Sequence, residues 1–292
     1  MRRYVFAGGT AVVTGAASGI GAALATALAA RGSHLVLLDR DGEGLAAVAE
    51  RIGAAAERND VGAERNGAGA GAGLRIATYV VDLSDAAATE AIGATLADAH
   101  PDTTLLVNNA GIALGGTFQQ VSAAQFDAVL AVNLHAVITL TRALLPVLTA
   151  HPGAHLVNLS SVFGILAPPG QTAYCTSKFA VRGFTEALRG ELALAGVGVT
   201  VVHPGGVRTA IARNAMVGEG VSTAEAARMA EFGKLLTLDP AAAAETILRG
   251  VQRRRPRVLV GRDAQVLDTL ARLLPVTHRR VLSAAARLES RR

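Results

Sequence analysis

The chain carries a single cysteine, Cys175, no tryptophan, and only 3% aromatic residues among its 292. One thiol cannot build an intramolecular disulfide framework and fits a reducing compartment; its plain role is that of a small buried hydrophobe. So few aromatic rings argue against the stacking platforms that hold single-stranded nucleic acids. Charge is also sparse, at 17% against 51% hydrophobic residues, which excludes global disorder and leaves ample material for a core. The sequence shows no unbroken apolar run of about eighteen residues of the kind that spans a bilayer. Met1-Arg2-Arg3 and the apolar residues after it look like the start of a signal peptide. Gly8-Gly9 interrupts them, and cleavage there would remove a strand the fold needs, so the expected location is the cytoplasm.

What charge there is lies unevenly. The net charge is +5, and eleven arginines from Arg253 to Arg292 crowd into the last forty residues. Such a run can mark an anionic partner. Without aromatic interleaving or a base-reading motif, nucleic acid is not expected, and a solvated face is the plain reading.

Short β-branched runs at 10–13, 34–38, 75–81, 104–107, 155–159, 199–202 and 257–260 alternate with Ala/Leu-rich stretches at 20–31, 44–57, 125–148 and 172–194. Several of the runs are continuously apolar, as strands covered on both faces must be. This rhythm predicts an α/β fold, a doubly wound seven-stranded parallel sheet with helices on both faces. Residues 59–73 (NDVGAERNGAGAGAG) lack hydrophobic periodicity and read as a flexible surface insertion. The expected organisation is one catalytic domain over 1–261 and an Arg-rich helical extension over 262–292.

The first strand runs into Gly15-Ala-Ala-Ser18-Gly19-Ile20-Gly21. Glycines at a strand-to-helix turn admit positive φ, let the backbone approach a pyrophosphate, and set phosphates at the positive end of a helix. The spacing G-x-x-x-G-x-G differs from the commonest dinucleotide fingerprint. Asp39 closes the second strand, where a carboxylate would hold ribose hydroxyls and disfavour a 2′-phosphate. Arg40 follows and competes by offering that phosphate a cation, so NAD is favoured with NADP as the alternative. Asp82 ends the third strand, either as an adenine contact or as a helix cap shared with Ser84.

Tyr174 and Lys178 stand four apart in a helical stretch and so share a face. An ammonium beside a phenol stabilises the phenolate and lowers its pKa, which would suit acid/base work. Ser160-Ser161 lie at the tip of the fifth strand, and adjacent residues there point to opposite faces, so one of them aims at the cleft.

With these residues in hand, the chain resembles the short-chain dehydrogenase/reductase family over about residues 8–261. The motifs carrying the resemblance are TGAASGIG (14–21), NNAG (108–111), Asn133 in VNL, Ser161 with Tyr174-Cys-Thr-Ser-Lys178, and HPGGVRT (203–209). The resemblance implies a catalytic set of Asn133, Ser161, Tyr174 and Lys178, with Ser161 chosen over Ser160 because the family's serine lies thirteen residues before its tyrosine. It implies that Tyr174 passes a proton to a carbonyl oxygen, that Lys178 holds the nicotinamide ribose, that Ser161 bonds the substrate oxygen, and that Asn133 anchors a water. The implied cofactor contacts are Gly15, Ser18, Gly19, Ile20, Gly21, Asp39, Arg40, Asp82, Leu83, Asn109, Ala110, Gly111, Tyr174, Lys178, Pro204, Gly205, Val207 and Thr209. No metal is implied.

The implied activity is hydride transfer between NAD(P) and a secondary alcohol or ketone. A 3-ketoacyl-thioester reductase and a non-catalytic nucleotide-sensing scaffold are the alternatives. Residues 207–238 fall where the family carries a substrate lid, and Ile211, Met216, Met229 and Leu236 there suggest a lipophilic substrate. Family members assemble as homodimers or homotetramers, which is the expectation here. In the extension, Val266, Leu267, Leu270, Leu273 and Leu274 recur at helical spacing until Pro275, which favours docking on the protein over a membrane surface.

Overall fold

A computed structural model describes residues 3–65, 73–234 and 236–277. In chain order the elements begin with β1 (Thr10–Thr14), α1 (Gly19–Ala29), β2 (His34–Asp39), α2 (Gly42–Arg65), β3 (Ile76–Val80), α3 (Ala86–Ala99) and β4 (Thr103–Asn108). A short β5 (Leu114–Gly115) precedes α4 (Ala123–Leu130), a π-helical turn (Ala131–His135), α5 (Ala136–Ala150) and β6 (His155–Leu159). After a 3-10 turn (Val162–Gly164) come α6 (Thr172–Leu192), β7 (Gly198–Pro204), α7 (Ala210–Arg213) and β8 (Met216–Val217). The last elements are α8 (Thr223–Lys234), α9 (Pro240–Gln252), β9 (Arg257–Val260) and α10 (Arg262–Leu273).

Seven strands form one parallel sheet in the order β3-β2-β1-β4-β6-β7-β9, the doubly wound arrangement expected from the alternation. β5 and β8 make a separate parallel pair through Leu114–Met216 and Gly115–Val217. Strands β1, β6 and β7 are buried along their whole length, because helices cover both faces. The period-2 pleat divides each strand between two cores. Ala11, Val13, Leu35, Leu37 and Val157 join one core with α1 and α9, whereas Val12, Val36, Leu38 and Leu156 join the other with α3, α5 and α6. Each such leucine or valine contributes about 1.5–3 kcal/mol by leaving water.

Several expectations change. Helix α2 continues to Arg65, so 59–65 are helical where an irregular insertion was expected. Extending a helix that already exists fixes few dihedrals per bond, and the Ala, Glu and Arg of this stretch are good formers. The rest of the glycine-rich run, 66–72, lies outside the described residues. The stretch read as one helix over 125–148 is α4 and α5 joined by the π turn. Contrary to the reading of the sequence, 123–150 is long and apolar enough to cross a bilayer by length and composition. Its buried residues Val137, Leu140, Leu144 and Leu148 pack instead into the fold, chiefly against α3 and β4. Helix α10 packs on β9 and the 3-10 turn and ends two residues before Pro275. The arginines after residue 277 fall outside the described residues.

Candidate active site

The carboxyl ends of the central strands open into a cleft of about 1060 Å³. One end is built by the loops after β1, β2 and β3. Gly15 and Gly19 adopt φ of +67° and +55°, values that favour glycine. At Gly21 the constraint is space, since a methyl there would overlap the Gly15 carbonyl. Ser18 is the N-cap of α1, but its hydroxyl makes no capping bond, so the first turn of α1, which lines the cleft at Gly19 and Ile20, keeps N–H donors that could hold an anion. Asn109 ties this loop to β4, donating from Nδ2 to the Thr14 carbonyl (2.8 Å) and the Gly15 carbonyl (3.1 Å). Thr14 Oγ1 accepts from the amides of Asn109 and Ala110, both at 3.0 Å. The sequence motif held Thr14, but its buttressing role had no separate signal.

Asp39 lines the cleft with its two oxygens accepting from the Ala17 and Asp41 amides, at 2.9 and 3.1 Å. Arg40, Asp82, Leu83, Ala110 and Gly111 line the same cavity. Asp82 caps no helix: its Oδ1 accepts from the Ser84 amide (2.9 Å), and Asp85 is the N-cap of α3. The Ser84 amide is the main cause holding the Asp82 carboxyl below its usual range, opposed by partial burial and helped by Arg40.

Farther along, β6 and α6 bring Ser161, Tyr174 and Lys178 together. Ser160 and Ser161 point to opposite sides, as the pleat requires. The buried Ser160 hydroxyl donates to the Lys178 carbonyl (2.8 Å), while Lys178 Nζ donates to the Leu159 carbonyl (3.0 Å). Gly164 is glycine because a side chain would strike both Ser160 Oγ and the Lys178 backbone. On the other side, Ser161 Oγ accepts from the Phe163 amide (3.1 Å) and lines the cleft beside Tyr174. Phe163 also sets its ring edge-on to Tyr174, with centroids 6.2 Å apart.

The protonation of the pair runs opposite to the simple expectation. Burial pushes Tyr174 up to about 12, overriding the lowering influence of the Ser161 hydroxyl, with Cys175 adding to the rise. Burial likewise lowers Lys178 to about 8. Lys178 Nζ sits 5.6 Å from the centre of the tyrosine ring and is engaged by a carbonyl, so desolvation outweighs any phenolate stabilisation.

Asn133 is fully buried in the π turn, a distortion that often marks functional positions. Its side chain brackets Ile112, accepting from the amide at 2.8 Å and donating to the carbonyl at 2.9 Å, with a further bond to Ser177 Oγ at 3.1 Å. Both the π turn and Ser177 escaped the sequence reading. Gly111 lets the chain pass here, since a methyl would stand 3.2 Å from Asn133 Oδ1 and 3.4 Å from Lys178 Nζ.

Pro204, Gly205, Val207 and Thr209 line the cleft opposite, and Thr209 reaches the glycine loop: a methyl on Gly19 would lie 3.0 Å from its Cγ2. The Val207 amide, expected to face a ligand, donates to the Gly205 carbonyl (2.9 Å). Apolar side chains close the far end, among them Phe163, Ile211, Met216, Met229 and Leu236. Two further lining residues come from α10: Leu267, one of the apolar positions at helical spacing, and Asp263, which carried no signal in the sequence.

Comparison with known proteins agrees with this arrangement. The family model described as short chain dehydrogenase matches residues 9–219. The oxidoreductase SadH of Mycobacterium tuberculosis is 40% identical over 283 residues, covering 96% of this chain and 95% of that protein. A short chain dehydrogenase/reductase from Burkholderia phymatum, solved in complex with NAD, superposes with a TM-score of 0.78 at 28% identity, covering 92% of this chain and 94% of that one. The bulky-bulky ketone specific alcohol dehydrogenase of Comamonas testosteroni gives a TM-score of 0.67 at 25% identity, covering 91% and 93%. On its sheet, its cleft and this match over most of its length, the chain belongs to the short-chain dehydrogenase/reductase family of oxidoreductases.

Proposed function

We propose that this oxidoreductase uses NAD to reduce a lipophilic ketone, or oxidise the matching secondary alcohol, with Tyr174 as proton donor and acceptor. The observation that carries the proposal is the convergence of Ser161, Tyr174 and Lys178 at the mouth of an apolar chamber. The cleft fits a dinucleotide. The open first turn of α1 suits a pyrophosphate, and the absent side chain at Gly21 lets the backbone come close. Each Asp39 oxygen keeps a lone pair for ribose hydroxyls, and its negative charge disfavours a 2′-phosphate. The bound cofactor supplies or takes up the hydride.

The protein's share is binding, orientation and the proton. Ser161 Oγ orients the substrate oxygen beside the Tyr174 hydroxyl. Because burial keeps the phenol protonated, Tyr174 is held in the form that donates to a carbonyl. Lys178, fixed over the ring, offers its remaining N–H donors to the cofactor ribose, and Asn133 holds the segment around Ile112, between β4 and β5, in place beside it. Relatives solved with NAD and with NADPH support a nicotinamide cofactor, and one specific for bulky-bulky ketones supports the substrate class. The test is Tyr174→Phe. The variant is expected to bind NADH as the wild type does and to lose ketone reduction by about 10²–10⁴-fold. Wild-type protein that binds NADH yet reduces no ketone in a broad apolar panel would refute the proposal.

A further inference from the structure

We infer that Asp263, from the helix that follows the sheet, is a positioning residue for the nicotinamide half of the site. The inference rests on the proposed function, in which the turn after β7 receives that half of the cofactor.

In the turn from Pro204 to Arg208, the backbone donors are matched one by one. The Gly205 amide donates to the Val260 carbonyl (2.9 Å), that of Val207 to Gly205 (2.9 Å), and that of Arg208 to Leu238 (2.8 Å). The Gly206 amide alone takes a side-chain acceptor, Asp263 Oδ2 at 2.6 Å, from 57 residues away. A carboxylate accepting an amide proton makes a stronger bond than a neutral acceptor would. It therefore anchors the N–H side of the Gly205–Gly206 peptide, whose carbonyl side is held by the Val207 amide.

On its inner side the carboxylate of this exposed residue lies close against three glycines. Methyl groups at Gly205 or Gly261 would overlap its oxygens, and one at Gly206 would stand 3.5 Å from Oδ2. Gly261 adopts φ of +100°, a value that only glycine adopts without strain. Helix α10 is itself held: Asp268, one turn on, pairs with Arg257 of β9 and with Arg272 at 3.0 Å. Leu267 on the same helix lines the chamber, so one rigid element closes the substrate end and sets the turn beneath it. Asp263 touches the turn and not the reacting atoms, so its effect is on where the nicotinamide rests.

Two probes separate this role from general stability. NADH would fill the whole cleft, whereas ADP-ribose has the adenosine, the pyrophosphate and the second ribose but lacks the nicotinamide ring that the turn after β7 would meet. Asp263→Ala is expected to weaken NADH binding about tenfold, the loss typical of a hydrogen bond to a charged group, and to leave ADP-ribose affinity within about twofold. Asp263→Asn keeps an oxygen acceptor for the Gly206 amide, so NADH affinity is expected to fall by less than in the alanine variant. Equal NADH affinity in wild type and Asp263→Ala, or parallel loss of both probes, would overturn the inference while leaving the functional proposal standing. A wild-type chain that binds neither probe would sink both.

Discussion

The two ends of the cleft are built by different means. At the glycine-loop end, backbone groups do most of the work: Thr14, Asn109 and Asp39 each spend their side chains on main-chain amides and carbonyls of neighbouring loops. The other end is walled by side chains from distant segments, Phe163 after β6, Ile211 in α7, Met229 in α8, Leu267 in α10. A backbone cradle reads features common to every dinucleotide, whereas a wall of flexible apolar side chains is shaped to one class of substrate. The first end is a fixture and the second is adjustable.

Acid should have the largest effect, and it reaches the Ser161 end of the cleft through His203. Burial holds two sheet histidines neutral, His203 near the carboxyl end of β7 and His155 at the opposite, amino end of β6: His155 is lowered to about 3 and His203 to about 4, chiefly by desolvation. His203 Nδ1 also bonds the Ser161 carbonyl at 2.8 Å. Below pH of about 6.5 the unfolded chain takes up protons that the folded chain refuses, so stability is full above that value and falls towards pH 4, by several kcal/mol in all. Thermal melts from pH 7.5 to 4.5 check this, and a flat profile would contradict it.

Next in size is Gly21→Ala, which drives a methyl into the Gly15 carbonyl. It is expected to cost at least about tenfold in NADH affinity through displacement of the loop. Normal cofactor binding in that variant would show the first end to be more pliable than described. Met229→Ala should do the converse. Met229 lies over β5, so near that a methyl on Gly115 would stand 2.8 Å from its sulfur. Its removal is expected to change kcat/KM for a bulky ketone by about tenfold in either direction and leave NADH affinity alone, as steady-state kinetics beside fluorescence titration would reveal. The smallest effect is expected of Asp39→Asn, a severalfold drop in the preference for NAD over NADP, read from paired binding titrations.

The same division explains what could be read from the sequence. Strands such as 155–159 and the loop 14–21 announce themselves, because β-branched runs and glycine spacing are local consequences of local geometry. Tyr174 and Lys178 were legible through helical periodicity, and the choice of Ser161 through the resemblance. The π turn was not, since nothing in AVNLH distinguishes five-residue from four-residue hydrogen bonding. Asp263 was hidden for another reason: its partner is 57 residues away, and in the sequence it is one acid among arginines. The shift at Tyr174 went the other way from expectation because spacing reports neighbours but not the loss of water around them.

The bonds between Ser160, Lys178 and Leu159 have a mechanical consequence. Strand tip and helix are joined by two links running in opposite senses, one from the strand's side chain to the helix backbone and one from the helix's side chain to the strand backbone. Such a clasp resists both sliding and twisting, because either motion must open both links together. Ser161 and Tyr174, mounted on its two jaws, therefore keep their spacing until that whole region of the sheet comes apart. On heating, catalytic competence will vanish with the fold itself and not before it.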